Sequence, residues 1–379
     1  MSSLSPVETL NPLDLVDSSK DVSFTVYPST RVAPSFRSVV KSSREIVDEQ
    51  IAGYEAPPVN IIATSGVTVF SHSYAWKDDG YILHDNLFPV YHRTFIESGR
   101  YGDIVKALPN LPVRNIARPG LVFLTKQHHI YGHFLLEMLP KIYLANYLLS
   151  IGVDLCVILN NYASDVVRRF LSSYCDADIV EYDQGREMLH LDRCILPQSM
   201  NAHNYSALFA GFSWDLRRSL LRGHLPSENA RDILRHDGIF VSRAKYREKK
   251  GWDSRVWLNE DESERIAISK GLTAIDPGEM SLAEQAYIFS RTPMIVGEYS
   301  SAMHNTLFSP PGVSVICVHR FTEVQDRLAQ TFGHRIGYVE VEHCGRGPYG
   351  TKQIEAGFFK SDPEALGIMI EEMRRRQPA

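Results

Sequence analysis

Residues 294–318 read MIVGEYSSAMHNTLFSPPGVSVICV. Met294–Gly297 is a short apolar strand, Ser301–Phe308 has apolar residues at helical spacing, and Val313–Val318 is a second apolar strand after Pro310-Pro311-Gly312. Strand, tight turn, helix and strand in such short order predict parallel pairing with a crossover helix. The same texture extends upstream. Gly238–Ser242 reads as a strand, Asn259 opens a helix through Lys270 with Gly271 as its stop, and Leu272–Ile275 is a strand. Ser281-Leu282-Ala283-Glu284 is a capping box for a helix to Ser290.

An earlier alternation lies in residues 132–222. Gly132–Leu149 and Ala163–Tyr174 read as helices, Leu155–Leu159, Asp178–Tyr182 and Cys194–Leu196 as strands, and Ser206–Arg222 as a further helix. Before it, Val59–Thr64, Val67–His72, Tyr81–His84 and Ala117–Leu124 are strand-like, with Asp78-Asp79-Gly80 as turn chemistry. The reading is an α/β protein of two Rossmann-like domains facing across a cleft, where ligands of parallel sheets sit. Residues 1–58 are expected as an N-terminal arm with one strand near Ser23–Tyr27. Residues 59–230 form the first domain, with a polar hinge at 223–237, and residues 231–345 the second. In the segment 346–379, a helix over Pro363–Arg376 is expected to pack back toward the first domain.

The chain has 379 residues, 44% hydrophobic and 22% charged, which excludes global disorder, collagen and coiled coil. A net charge of −5 gives no global pull toward nucleic acid or anionic membrane. Five scattered cysteines without a CxxC pair read as reduced thiols, not a disulfide framework or zinc site. No signal peptide or transmembrane span is expected, so the predicted place is cytoplasmic with at most peripheral membrane contact. GxGxxG after a first strand, GxxxxGK[ST] and a GxSxG elbow are all missing, which disfavours dinucleotide oxidoreductases, P-loop kinases and Ser-His-Asp hydrolases.

Three constellations carry chemistry. In the first, His128-His129 precede Tyr131-Gly132-His133, and Glu137 and Lys141 follow. His133 and Glu137 stand i, i+4 on one helix face, where a carboxylate can fix an imidazole's tautomer for general-base work. The same spacing also suits an ordinary polar helix edge. In the second, Glu298 ends a strand, Ser300 and Ser301 sit at a helix start suited to a diphosphate, and His304 and Asn305 follow; a serine there can equally be only a cap. In the third, Arg243, Lys245, Arg247, Lys249 and Lys250 form a basic loop after the Gly238–Ser242 strand, suited to phosphate or simply to solvent. Glu284 can reach a ribose or merely complete its capping box. Asp176 and Asp178 fit a DxD metal pattern, but two acids in three residues recur by chance at turns.

Taken together and in order, the motifs resemble glycosyltransferase family 61. Tyr131-Gly132-His133-Phe134-Leu135-Leu136-Glu137-Met138-Leu139-Pro140-Lys141 is similar to the family's YGHWLLDxLPR. Ser242-Arg243 with Arg255 and Asn259-Glu260 matches its SRR…R…NE stretch, and Pro277 with Met280–Gln285 matches its P-x-x-LSFxEQ segment. Val296–Gly312 matches VGxHGAGLTNxLFxPPG. Glu137 replaces an aspartate, and Tyr299 and Ser300 replace the histidine and first glycine of HGAG, which suggests a bacterial-type branch. The resemblance implies a GT-B type architecture, inversion at the anomeric carbon and a nucleotide-sugar donor, usually UDP-linked.

The reading is therefore an inverting hexosyl- or pentosyltransferase of surface polysaccharide biosynthesis. It moves a sugar to a glycan or lipid-linked glycan at the inner membrane face, with no nucleic-acid partner. His133, Glu137 and Glu298 are the candidate catalytic residues. Arg243, Lys245, Arg247, Glu284, Ser300, Ser301, His304 and Asn305 are donor candidates, and Tyr131, His129 and Lys141 acceptor candidates. No cofactor is expected, because cationic side chains and helix N–H groups can stabilise the leaving diphosphate without a metal. The alternatives are a non-sugar transferase acting on polysaccharide, such as pyruvyl transfer, and an inactive nucleotide-sugar-binding module.

Overall fold

A computed structural model describes residues 16–17, 21–70, 74–77, 80–81, 111–123, 130–197, 204–245, 255–319, 323–346 and 357–376. The chain divides into two units, residues 1–30 with 55–209 and residues 31–54 with 210–379.

In the second unit, apolar runs become strands buried on both faces. Gly238–Val241, Leu272–Ile275, Met294–Glu298, Ser314–Val318 and Arg335–Val339 all run parallel. Numbered along the chain, they lie in the order 2-1-3-4-5, a doubly wound arrangement whose order reverses between the first and third strands. The register brings the carboxyl ends level. Val241 pairs with Ile275 and with Gly297, Glu298 with Val318, and Val318 with Val339. Helices Glu260–Ser269 and Pro363–Arg375 bury Ala267, Leu366, Met369 and Ile370 in one core with Phe240, Val296 and Ile316 of the sheet.

In the first unit, four parallel strands lie in the order Asp178–Tyr182, Cys156–Asn160, Gly120–Val122, Met188–Pro197. The sheet then turns antiparallel, because Val59–Phe70 lies against Met188–Pro197 in opposite sense. The unit is thus a mixed α/β sheet, not a parallel one throughout. Val59–Phe70 is also a single strand where the sequence suggested two. Ser65-Gly66 reads as a turn, yet Gly66 takes a φ of +66° inside the strand, an angle that glycine adopts at little cost.

Within the expected N-terminal arm, the described residues 21–58 hold strands. Val22–Tyr27 pairs with Val59–Phe70 in the first unit. Ser35–Val40 and Ile46–Ile51 extend the second unit's sheet, the former parallel to Arg335–Val339. Polar and charged residues stand on both faces of these two strands, Arg37 with Glu49 on one and Ser38 with Asp48 on the other, so SFRSVV and IVDEQI lack an apolar signature. The helix Pro363–Arg375 packs on the strands Ser314–Val318, Arg335–Val339 and Ser35–Val40 of the second unit. The polar segment 223–237 holds a short helix, Glu228–Ile233, capped by Ser227, and the division between units falls at residue 209. Among the described residues, no helix is long and apolar enough to cross a membrane.

Candidate functional site

The second unit's strand order reverses between Gly238–Val241 and Met294–Glu298, the position at which open α/β sheets form a ligand crevice, and two charged residues stand at the carboxyl ends of these strands. Arg243 Nη1 lies 3.3 Å from Glu298 Oε1, with the Glu298 side chain 2% exposed and that of Arg243 13%. A third group sets the turn that carries Arg243. Glu260, buried at the start of its helix, accepts from Ser242 Oγ at 2.9 Å and from the Arg243 backbone N–H at 2.8 Å. A carboxylate taking two such bonds fixes the loop backbone and therefore the root of the guanidinium.

Beyond Glu298 the chain reaches Ser300, the residue before the 3-10 helix Ser301–Phe308. Ser300 does not cap that helix; its Oγ is buried and meets no hydrogen-bond partner among the described residues. A buried hydroxyl left so costs desolvation energy, which a bound acceptor oxygen would return. Gly297 allows the close approach. A Cβ there would meet Met303 Sδ, Val241 Cβ and the Val241 carbonyl oxygen, each at 3.0 Å. His304 packs edge-on against Tyr299 with ring centroids 6.0 Å apart. Asn305 has a structural partner. It is fully buried and donates to Gln285 Oε1 at 2.7 Å, while Gln285 holds the carbonyls of Pro277 and Met280. Asn305 thus ties its helix to the next one.

A recess of about 310 Å³ adjoins the same sheet, lined in part by Lys245, Thr273, Asp276, Met280 and Glu284. Lys245 is exposed and Glu284 half-buried. Ser281 Oγ accepts from the Glu284 N–H at 3.2 Å, as the capping box requires, so cap and recess are compatible roles for this segment. Arg247, Lys249 and Lys250 lie outside the described residues, as do His128 and His129.

In the first unit, the helix following Gly120–Val122 carries the other constellation. It opens as Tyr131–His133, widens into a π turn at Phe134–Met138, and resumes as Leu139–Ser150. Pro140 explains the widening. It has no N–H to give the carbonyl four residues back, and its ring would clash there. The Leu139 N–H reaches the Phe134 carbonyl, five residues back, and such turns recur at functional sites. His133 Nδ1 lies 2.5 Å from Glu137 Oε1. A carboxylate can only accept, so this contact assigns the proton to Nδ1 and leaves the lone pair of a neutral imidazole on Nε2. Glu137 is buried, and His133 is 24% exposed. Lys141 is buried one turn on. Burial pushes its ammonium down to about 8, opposed by the Glu137 carboxylate. Tyr131 is half-buried at the helix start.

The DxD pair looks different. Arg118 Nη1 donates to Asp178 Oδ2 at 2.6 Å, and the same guanidinium pairs with Asp154. Among the described residues no group of three or more His, Cys, Asp or Glu side chains could hold a metal ion. Asn259 also departs from its expected role. Its side chain makes no cap bond and instead joins Ser361, donating to the Ser361 carbonyl at 2.9 Å. Glu260 entered the sequence reading only as part of a motif match, without a role, and Asp276 did not enter it; an acid in the first turn of a helix after a basic strand-end loop is a legible signal for the former.

No curated protein matches the chain. The family model described as Glycosyltransferase 61 matches residues 131–316, just under half of the chain, a stretch that runs from the His133 helix to the strand after Ser300 and supports a likeness to glycosyltransferase family 61.

Proposed function

We propose that the chain is an inverting glycosyltransferase of GT-B type, with a UDP-sugar donor on the second unit and a glycan or lipid-linked glycan acceptor on the first, acting in surface polysaccharide synthesis at the inner membrane face. The observation that carries this reading is the reversal of strand order, with Arg243, Glu298 and the buried Ser300 hydroxyl at the carboxyl ends of the strands beside it. In open α/β sheets that position takes the ligand. The donor diphosphate is assigned to Arg243, Ser300 and the Ser301 helix start, and the nucleoside to the recess beside Lys245 and Glu284. His133 Nε2 takes the proton of the acceptor hydroxyl as its oxygen attacks the anomeric carbon, the bond to the diphosphate oxygen breaks, and UDP leaves with the electron pair. Glu137 and Lys141 orient and balance the imidazole, and Tyr131 borders the acceptor.

The test is calorimetry with UDP. Arg243→Ala is expected to weaken binding by roughly 1.5–3 kcal/mol, the value of a charge-assisted hydrogen bond. Unchanged affinity removes Arg243 from the donor site. Wild-type protein that binds no nucleotide at all overturns the reading.

A second prediction concerns metals. Arg243 and the Ser300 turn can offset diphosphate charge, and Asp178 is already held by Arg118. Turnover is expected to survive EDTA. Loss in EDTA that Mn²⁺ or Mg²⁺ restores would return the DxD pair to consideration.

A further inference from the structure

The helix Ala207–Leu221 buries Leu208, Phe212, Leu216 and Leu220. Its opposite side carries Trp214, Arg218 and Leu221, three and four residues apart and so on one face. Gly223, with a φ of +70°, ends the helix. Leu225 follows at 89% exposure, the most exposed large apolar side chain among the described residues, and Trp214 is 39% exposed. Cations flank these two anchors. Arg218 and Arg222 are exposed on the helix end, and Arg217 is half-buried beside them. Arg217 senses Arg291 and Arg218 as neighbouring charges, which add to burial in lowering its proton affinity. Arg291 lies over the Tyr287 ring. Asp215, paired with Arg218, is the one acid from 214 to 225. A chain of net charge −5 thus gathers four arginines around exposed Trp and Leu.

We propose that this face docks on an anionic lipid bilayer, with Trp214 and Leu225 entering the boundary between headgroups and acyl chains and Arg218, Arg222 and Arg291 facing lipid phosphates, while Arg217 donates to the Phe308 carbonyl beside them. The composition favours a bilayer over a protein partner. Indole is amphipathic and settles at such boundaries, arginine buries its stem while keeping its head polar, and a helix face of this kind lies in the interface plane. The proposal does not rest on the transferase reading, since bare lipid tests it.

The experiment is co-sedimentation of the full chain with phosphatidylcholine vesicles, with and without phosphatidylglycerol, at low and high salt. Binding is expected only with phosphatidylglycerol and is expected to fall at high salt. Each cation near an anionic surface is worth about a fivefold change in partitioning, so Arg218→Gln with Arg222→Gln should lower it about 25-fold. Leu225→Glu should weaken it at unchanged Tm, because Leu225 is 89% exposed, and Trp214→Glu with Leu225→Glu should abolish it. Vesicle binding should shift tryptophan emission to the blue, and Trp214→Phe should remove that shift. No binding of the wild type at low salt, or equal binding by the variants, overturns the proposal. UDP calorimetry on the same samples reads the donor site separately.

Discussion

His133→Ala is expected to lower kcat by about 10²–10⁴ while nucleotide-sugar affinity stays unchanged. The expectation rests on local structure. The π turn at Phe134–Met138 and the buried Glu137 hold the imidazole by Nδ1, so the lone pair of a neutral imidazole lies on Nε2. A fixed tautomer is what a general base needs, and the partial exposure of His133 lets a substrate hydroxyl approach. Donor affinity should not move, because the donor groups of the proposed site belong to the second unit. Glu298→Gln is the control. Glu298 stands 3.3 Å from Arg243 in a buried setting, so its loss is expected to alter donor binding first. Should turnover persist in His133→Ala and vanish in Glu298→Gln at unchanged donor affinity, the base belongs to the second unit and the assignment to His133 is wrong.

Much of the second unit was legible because its strands are covered on both faces. MIVGE, SVICV and GIFV are continuous apolar runs, and the capping box at Ser281 and the glycine stop at Gly271 are local signals that tertiary contacts did not overrule. What stayed hidden depends on partners far along the chain. Ser35–Val40 is recognisable as a strand only through its pairing with Arg335–Val339, some three hundred residues later. The antiparallel turn of the first sheet depends on which strand Met188–Pro197 meets on its far side, and no local pattern encodes that choice.

The candidate site divides the same way. His133 and Glu137 meet because four residues of helix bring them together, so spacing sufficed. Arg243 and Glu298 are 55 positions apart and meet through parallel register. Their residue types suggested chemistry, but only the strand order put them beside one another. Asn305 also gains a partner that spacing does not show, because its amide donates to Gln285, 20 positions earlier.

Asp326→Ala is expected to cost about 3–5 kcal/mol of stability, the usual penalty for breaking a buried pair and leaving one charge uncompensated. Asp326 lies on the helix Val324–Phe332 and is 2% exposed. It pairs with Arg37 of the strand Ser35–Val40 and accepts from Tyr338 Oη at 2.9 Å. Arg37 also donates from Nε to Glu49 Oε2 at 2.9 Å, across to the strand Ile46–Ile51. One carboxylate thus joins the segment 31–54 to the helix and to the strand Arg335–Val339. Glu49 is more exposed than Asp326 and shares the guanidinium, so it offsets only part of the loss and places the expected cost toward the lower end of that range. Set against a total stability of roughly 5–15 kcal/mol for a folded domain, the change should be plain in urea unfolding followed by circular dichroism. Arg37→Met combined with Asp326→Leu should recover most of the loss, because two apolar groups of similar size need no counter-charge. A cost below about 1 kcal/mol for Asp326→Ala, in the range of exposed pairs, would mean that β-pairing with Arg335–Val339, and not this ion pair, holds the segment in place.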